Sequence, residues 1–216
     1  MGEDMGRILS LTDGVFAFSL TLLVLSLVVP MFPTDGKSLA EISGRLGFLL
    51  SRESGAFLGY VFVFVMIAIW WTAHHRVFRW IIRYDDILVG LNLAILLEIA
   101  IMPFVLNVFI NYTDTTLAVV LFAFIEMATG LTLALLWFYA SWHHRLIRRA
   151  VPVAEVRWMQ GRLFLTPLIF AASIGVAFVS VTGAELVWIG VLVIQRFTTF
   201  SQVSRAADAI PPPTKP

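Results

Sequence analysis

The chain has 216 residues, 59% of them hydrophobic and 13% charged, with a net charge of +1. A water-soluble domain carries roughly 25% charged residues, so this chain has more apolar surface than one soluble core hides, and the bilayer is its expected solvent. The near-zero charge gives no ground for nucleic-acid binding. The absence of cysteine excludes disulfides, thiol nucleophiles and cysteine metal sites.

A hydrocarbon core of about 30 Å needs about 20 helical residues, and six windows supply them. The first runs from about Arg7 to Val29 and is stopped by Pro30 and Pro33. Glu3 and Asp4 make a poor signal-peptide start, so this span is read as retained. The connection from Met31 to Gly55 is polar and has room for a short interfacial helix. The second window covers about Ala56 to Trp80 and the third about Asp86 to Tyr112, with a tight turn at Asn111 to Thr116. The fourth covers about Thr115 to Trp142. A basic connection, His143 to Gly161, leads to the fifth, about Arg162 to Thr182, and a turn at Thr182-Gly183 to the sixth, about Ala184 to Val203. The expected fold is therefore all-α: a polytopic membrane protein of six transmembrane helices. Residues 1–209 form one unit, and 210–216 a Pro-rich disordered tail.

Lys and Arg counts in the loops set orientation. An inside amino terminus places 12 of the basic residues on the cytoplasmic side and leaves only Lys37, Arg45 and Arg52 outside. Both termini are then cytoplasmic, in a multi-pass protein of the cell membrane. Trp71-x-x-His74-His75-Arg76 is echoed by Trp142-His143-His144-Arg145. The echo is either a pair of interfacial belts of aromatic and basic residues or an internal repeat.

The first span places Asp13 near the inner edge of the hydrocarbon. There a carboxylate either sits among headgroups or needs a partner. The second span travels the opposite way, so Trp71, His74 and His75 arrive at similar depth with N–H groups to donate. Phe18, Leu22, Leu25 and Val29 recur at steps of four, three and four, with Thr21 beside them. From spacing alone this stripe is either ordinary helix packing or a pore lining with a hydroxyl beside apolar rings. Glu98 and Glu126 fall near mid-depth, with Asn92, Asn107 and Thr129 as possible hydrogen-bond partners and Pro103 and Pro167 as possible kinks. Intramembrane carboxylates are functional candidates by default. Neighbouring histidines on a helix diverge by about 100° and no cysteine completes a set, so no metal site is expected. Hydrolase, nucleotide-binding and zincin motifs are missing, and so is the T-V-G-Y-G stretch of a carbonyl filter.

Arg7, then Leu11-Thr12-Asp13-Gly14-Val15-Phe16-Ala17 and Leu20-Thr21-Leu22-Leu23, resembles the R-x-x-x-F-S-D signature of the transmembrane protein 175 potassium channels. Trp71-x-x-His74-His75-Arg76-x-Phe78, Leu91-Asn92-Leu93 and Met102-Pro103-Phe104 resemble further stretches of the prokaryotic branch, so the likeness spans roughly residues 7 to 112. Leu11-Thr12 stands where the family has Phe-Ser, and Phe18 where it has Ile or Leu.

The resemblance implies a homotetramer in the bilayer with four first helices around a central pore. It implies a hydrogen-bond network of Arg7, Thr12, Asp13, Trp71, His74, His75 and Asn92. It places the narrowest ring at Phe18, an ion-binding hydroxyl layer at Thr21 and further apolar rings at Leu22 and Leu25. The expected function is passive permeation of monovalent cations, potassium before sodium, with no catalysis and no cofactor beyond the permeant ion. The rival expectation is a proton channel or proton-coupled transporter using Glu98 and Glu126.

Overall fold

A computed structural model describes the backbone of residues 2–199 and the side chains of residues 5–191. The Pro-rich stretch 210–216 and the carboxyl-terminal basic residues lie outside the described residues. Among the described residues, eight α-helices follow in order: α1 (Gly2–Leu22), α2 (Leu39–Arg52), α3 (Ser54–Trp80), α4 (Asp86–Ala100), α5 (Met102–Asn111), α6 (Thr116–Ser141), α7 (Val153–Ala177) and α8 (Val181–Thr199). Five stretches among the described residues are long and apolar enough to cross a membrane: Met5–Ser26, Ser54–Trp80, Asp86–Asn111, Thr116–His144 and Val153–Ala177. α8, which opens with the apolar segment Val181–Val191, is the sixth helix of the bundle.

Several boundaries differ from the sequence expectation, each for a local reason. α1 does not reach Val29: it tightens into a 3-10 turn at Leu23–Ser26 and is extended from Leu27. Pro30 and Pro33 disfavour helix in the residues before them. The third span is two helices, because Pro103 lacks the N–H that would continue the ladder and α4 gives way to α5 at Ile101. α7 starts at Val153, not Arg162, and stops at Ala177. Its first turns carry Glu155, Arg157, Gln160 and Arg162, which hydropathy reads as loop. Thr182 and Gly183 lie inside α8 rather than in a turn, since the Ser180 hydroxyl accepts the Gly183 N–H at 3.0 Å and starts the helix there. α2 is the short polar-loop helix. Ser38 and Glu41 cap it reciprocally, and it buries no residue.

α6 is the central post, packed along α7, α4, α5 and α8. Phe62, Phe109, Phe122, Phe170 and Trp188, from five different helices, form one aromatic knot, with Phe122 and Trp188 4.7 Å apart. The Trp188 indole donates to the Ser173 hydroxyl at 2.9 Å, so its polar edge is satisfied inside the bundle. Gly130 lets α3 and α7 close on α6. A Cβ there would stand 2.8 Å from Pro167 Cδ and 2.9 Å from Trp70 Cη2. Gly130→Ala is therefore expected to lower stability by about 1–3 kcal/mol through overpacking, read as a lower thermal midpoint in detergent.

The two basic connections lie side by side. Ile81 and Ile147 form an antiparallel bridge, and Ile82 N–H donates to Leu146 O at 2.9 Å. The tryptophan–histidine echo does not repeat in structure. Its first copy sits within α3, whereas in the second His143 and His144 adopt left-handed φ of 49° and 54° beyond the end of α6.

Candidate functional site: the exposed face of α1 and its anchors

α1 and the 3-10 turn that continues it sort their side chains into two faces. Thr12, Phe16, Ser19, Leu23 and Ser26, at steps of four, three, four and three, are buried within the protomer. On the opposite side Leu11, Gly14, Phe18, Thr21 and Leu25 are exposed, Phe18 at 64% and Leu25 at 72%. The expected stripe thus faces away from the protomer's interior. Leu22 is half-buried rather than on the open face. The Thr21 hydroxyl donates to the Phe18 carbonyl at 2.8 Å, which leaves its oxygen lone pairs free.

The buried face is held by a polar chain across three helices. The Thr12 hydroxyl donates to Ile8 O at 3.0 Å and accepts from Asn92 Nδ2 at 3.0 Å. That fixes the Asn92 amide with its oxygen towards His74 Nε2, 2.7 Å away, so the imidazole carries its proton on Nε2. Beside this chain, the Trp71 indole donates to Asp13 Oδ1 at 2.8 Å and His75 stacks on Trp71 at 5.6 Å. The structure brings the predicted residues together inside one protomer as two sets of bonds: Thr12 and His74 joined through Asn92 of α4, and Asp13 joined to Trp71. Two members depart from expectation. His75 reaches the cluster by ring stacking and not by a bond to Asp13. Arg7 is exposed, and none of the bonds joining the cluster involves it.

The two mid-span carboxyls go to separate partners. Glu126, with no exposed surface, accepts from the Trp70 indole at 2.7 Å, and Glu98 accepts from the Thr132 hydroxyl at 2.8 Å. Neither takes Asn92, which serves Thr12 and His74, or Asn107, which accepts from Asn111. Among the described residues no three His, Asp or Glu side chains converge as a metal-binding group.

Outside the spans, Asp85 ties α4 to the connection after α6. Its Oδ1 accepts the Leu88 N–H at 3.0 Å and caps α4, while Oδ2 accepts from Tyr139 at 2.6 Å and Arg145 at 3.2 Å. Burial opposes its ionisation, but these donors outweigh burial and hold the carboxyl below its ordinary range. A depressed folded pKa means that the stabilisation is complete above the unfolded value of about 4 and is lost as pH falls through the lower folded value. Asp85→Asn keeps the cap, since Asn caps a helix as well as Asp does, but weakens the bonds from Tyr139 and Arg145 by removing the charge they meet, and is expected to cost about 1 kcal/mol at neutral pH. Thermal midpoints of the two proteins should converge on acidification below pH about 4.

The comparisons with known proteins agree with this architecture. A sequence model of the family described as endosomal/lysosomal potassium channel TMEM175 matches residues 7–103. A Streptomyces collinus protein named as a potassium channel is 29% identical over 182 residues, covering 82% of this chain and 84% of its own. The Danio rerio protein named endosomal/lysosomal proton channel TMEM175 is 27% identical over 153 residues, but these are only 28% of that longer chain. In fold, the crystal structure of a lysosomal potassium-selective channel TMEM175 homolog from Chamaesiphon minutus superposes with a TM-score of 0.76 at 24% identity, over 92% of this chain and all of that one. The chain thus resembles the TMEM175 family in sequence over residues 7–103 and shares the fold of the Chamaesiphon minutus channel over 92% of its length.

Proposed function

We propose that the chain is one subunit of a passive, potassium-preferring cation channel, a homotetramer whose central pore is lined by four copies of α1. The observation that carries this reading is the two-faced sorting of α1: polar Thr12, Ser19 and Ser26 turn inward, while the bulky Phe18 and Leu25 turn out of the protomer. Four Phe18 rings form a hydrophobic constriction that dewets the path, and Thr21 oxygens next to it replace part of the ion's hydration shell. The Thr21 proton is already committed to the Phe18 carbonyl, so the hydroxyl offers cations its lone pairs. Selectivity then comes from side chains, since no T-V-G-Y-G stretch exists. The network of Thr12, Asp13, Trp71, His74 and Asn92 fixes α1 and does not touch the ion. Both termini face the cytoplasm of a cell membrane. The adjacency of the two basic connections, 81–83 and 145–149, supports that orientation.

One observation favours proton transfer as a second reading: Glu98 Oε2 and Glu126 Oε1 are buried without a hydrogen-bond partner. Against it, the two carboxyls take different partners, Glu98 the Thr132 hydroxyl and Glu126 the Trp70 indole, and neither of these bonds links one carboxyl to the other. Flux from liposomes containing the purified protein separates the readings. The channel reading expects potassium to leave faster than sodium and Glu98→Gln to leave that flux in place. Absence of ion flux refutes it. Loss of transport in Glu98→Gln with steep pH dependence replaces it with the proton reading.

A further inference from the structure

Two neighbouring helices change conformation where they meet. α1 passes into its 3-10 turn at Leu23, and α4 gives way to α5 at Ile101, two residues before Pro103. α4 runs along α1 below this level, and α5 lies against the 3-10 turn above it. One side-chain hydrogen bond crosses in each part. Asn92 holds Thr12 in the inner part, and the buried Ser26 hydroxyl donates to the Pro103 carbonyl at 3.2 Å in the outer part.

We infer that Ser26 is a positioning residue of the pore, which by tying the 3-10 turn to α5 sets the azimuth of the outer ring at Leu25 separately from the Phe18 ring. This rests on the pore-lining reading of α1. The geometry is direct. A 3-10 turn advances about 120° per residue against about 100° in an α-helix, so the three steps from Leu22 to Leu25 rotate Leu25 by about 60° relative to a continuous helix. Returning the segment to α-helix would swing Ser26 away from Pro103 by a still larger angle, so the bond holds the tightened form. Leu23 is fully buried beside it and Leu25 is open. The turn therefore has one face fixed to α5 and one face on the proposed ion path. Pro103 fits the acceptor role because its own missing N–H breaks the helix at this level and lets α5 lean on the turn.

The test is the ratio of potassium to caesium flux in liposomes for the parent, Ser26→Ala and Ser26→Thr. A ratio is blind to the amount of folded protein, which a merely structural role would change. The expected result is a shift of about threefold or more in Ser26→Ala, as a changed outer ring alters size discrimination, with the parent ratio restored in Ser26→Thr. A ratio unchanged in Ser26→Ala while potassium flux persists overturns the inference and leaves the channel reading intact. A shift that Ser26→Thr fails to reverse overturns the role of the hydroxyl. A parent without ion flux sinks the channel reading, and this inference with it.

Discussion

Phe18→Ala is expected to raise potassium flux through the reconstituted protein about tenfold, a barrier change of about 1.4 kcal/mol. The side chain is 64% exposed in the protomer, so truncation leaves no cavity in the bundle and costs little folding energy. What changes is the proposed ring: a benzyl group that narrows and dewets the path becomes a methyl group that does neither. Phe16 is the internal control. Two residues away on the same helix, it is 1% exposed and lies 6.1 Å from the His74 ring. Phe16→Ala should cost about 3–5 kcal/mol of stability, as for a buried aromatic. Liposome efflux normalised to folded protein, beside thermal midpoints, separates the two outcomes.

Asn92→Leu is expected to break the polar tie between α1 and α4. The replacement has similar volume but takes from His74 Nε2–H its acceptor and from Thr12 its donor, both in buried positions. An unsatisfied buried polar group costs about 1–3 kcal/mol, so a loss of about 2–4 kcal/mol follows for the pair, together with a fall in ion flux as α1 loses its tie to α4. Thr12→Ser retains the hydroxyl and should stay within about 1 kcal/mol of the parent. Equal thermal midpoints for Asn92→Leu and the parent would contradict the linking role of Asn92.

The spans and the open stripe were legible in the sequence because both are written in hydrophobic period and length, which local residues determine. Phe18, Thr21 and Leu25 face out of the protomer; their spacing groups them on one side of the helix but leaves open whether that side packs or lines a pore. Leu22 does not fully join them, because four α-helical steps of about 100° carry it about 40° past Phe18, toward the side of the buried Ser19. The start of α7 was hidden by Glu155, Arg157 and Arg162, which are ordinary in a helix that protrudes from the membrane but read as loop by hydropathy. The partners of the buried polar groups needed the fold. Trp70 for Glu126, Thr132 for Glu98 and Pro103 for Ser26 lie far off in the chain, and only helix packing brings them together. The amide in Leu91-Asn92-Leu93 was the one local signal of the link through Asn92, since a polar group amid an apolar run must find a partner.

Because the chain contains no cysteine, single cysteines along α1 report directly on which face meets the ion path. With charged thiol reagents applied to both sides of liposomes, cysteines at Phe18, Thr21 and Leu25 are expected to react and to block potassium flux, while those at Phe16, Ser19 and Leu23 stay silent. Inert or inconsequential labelling at positions 18, 21 and 25, with flux otherwise intact, would place the ion path elsewhere and contradict an α1-lined pore.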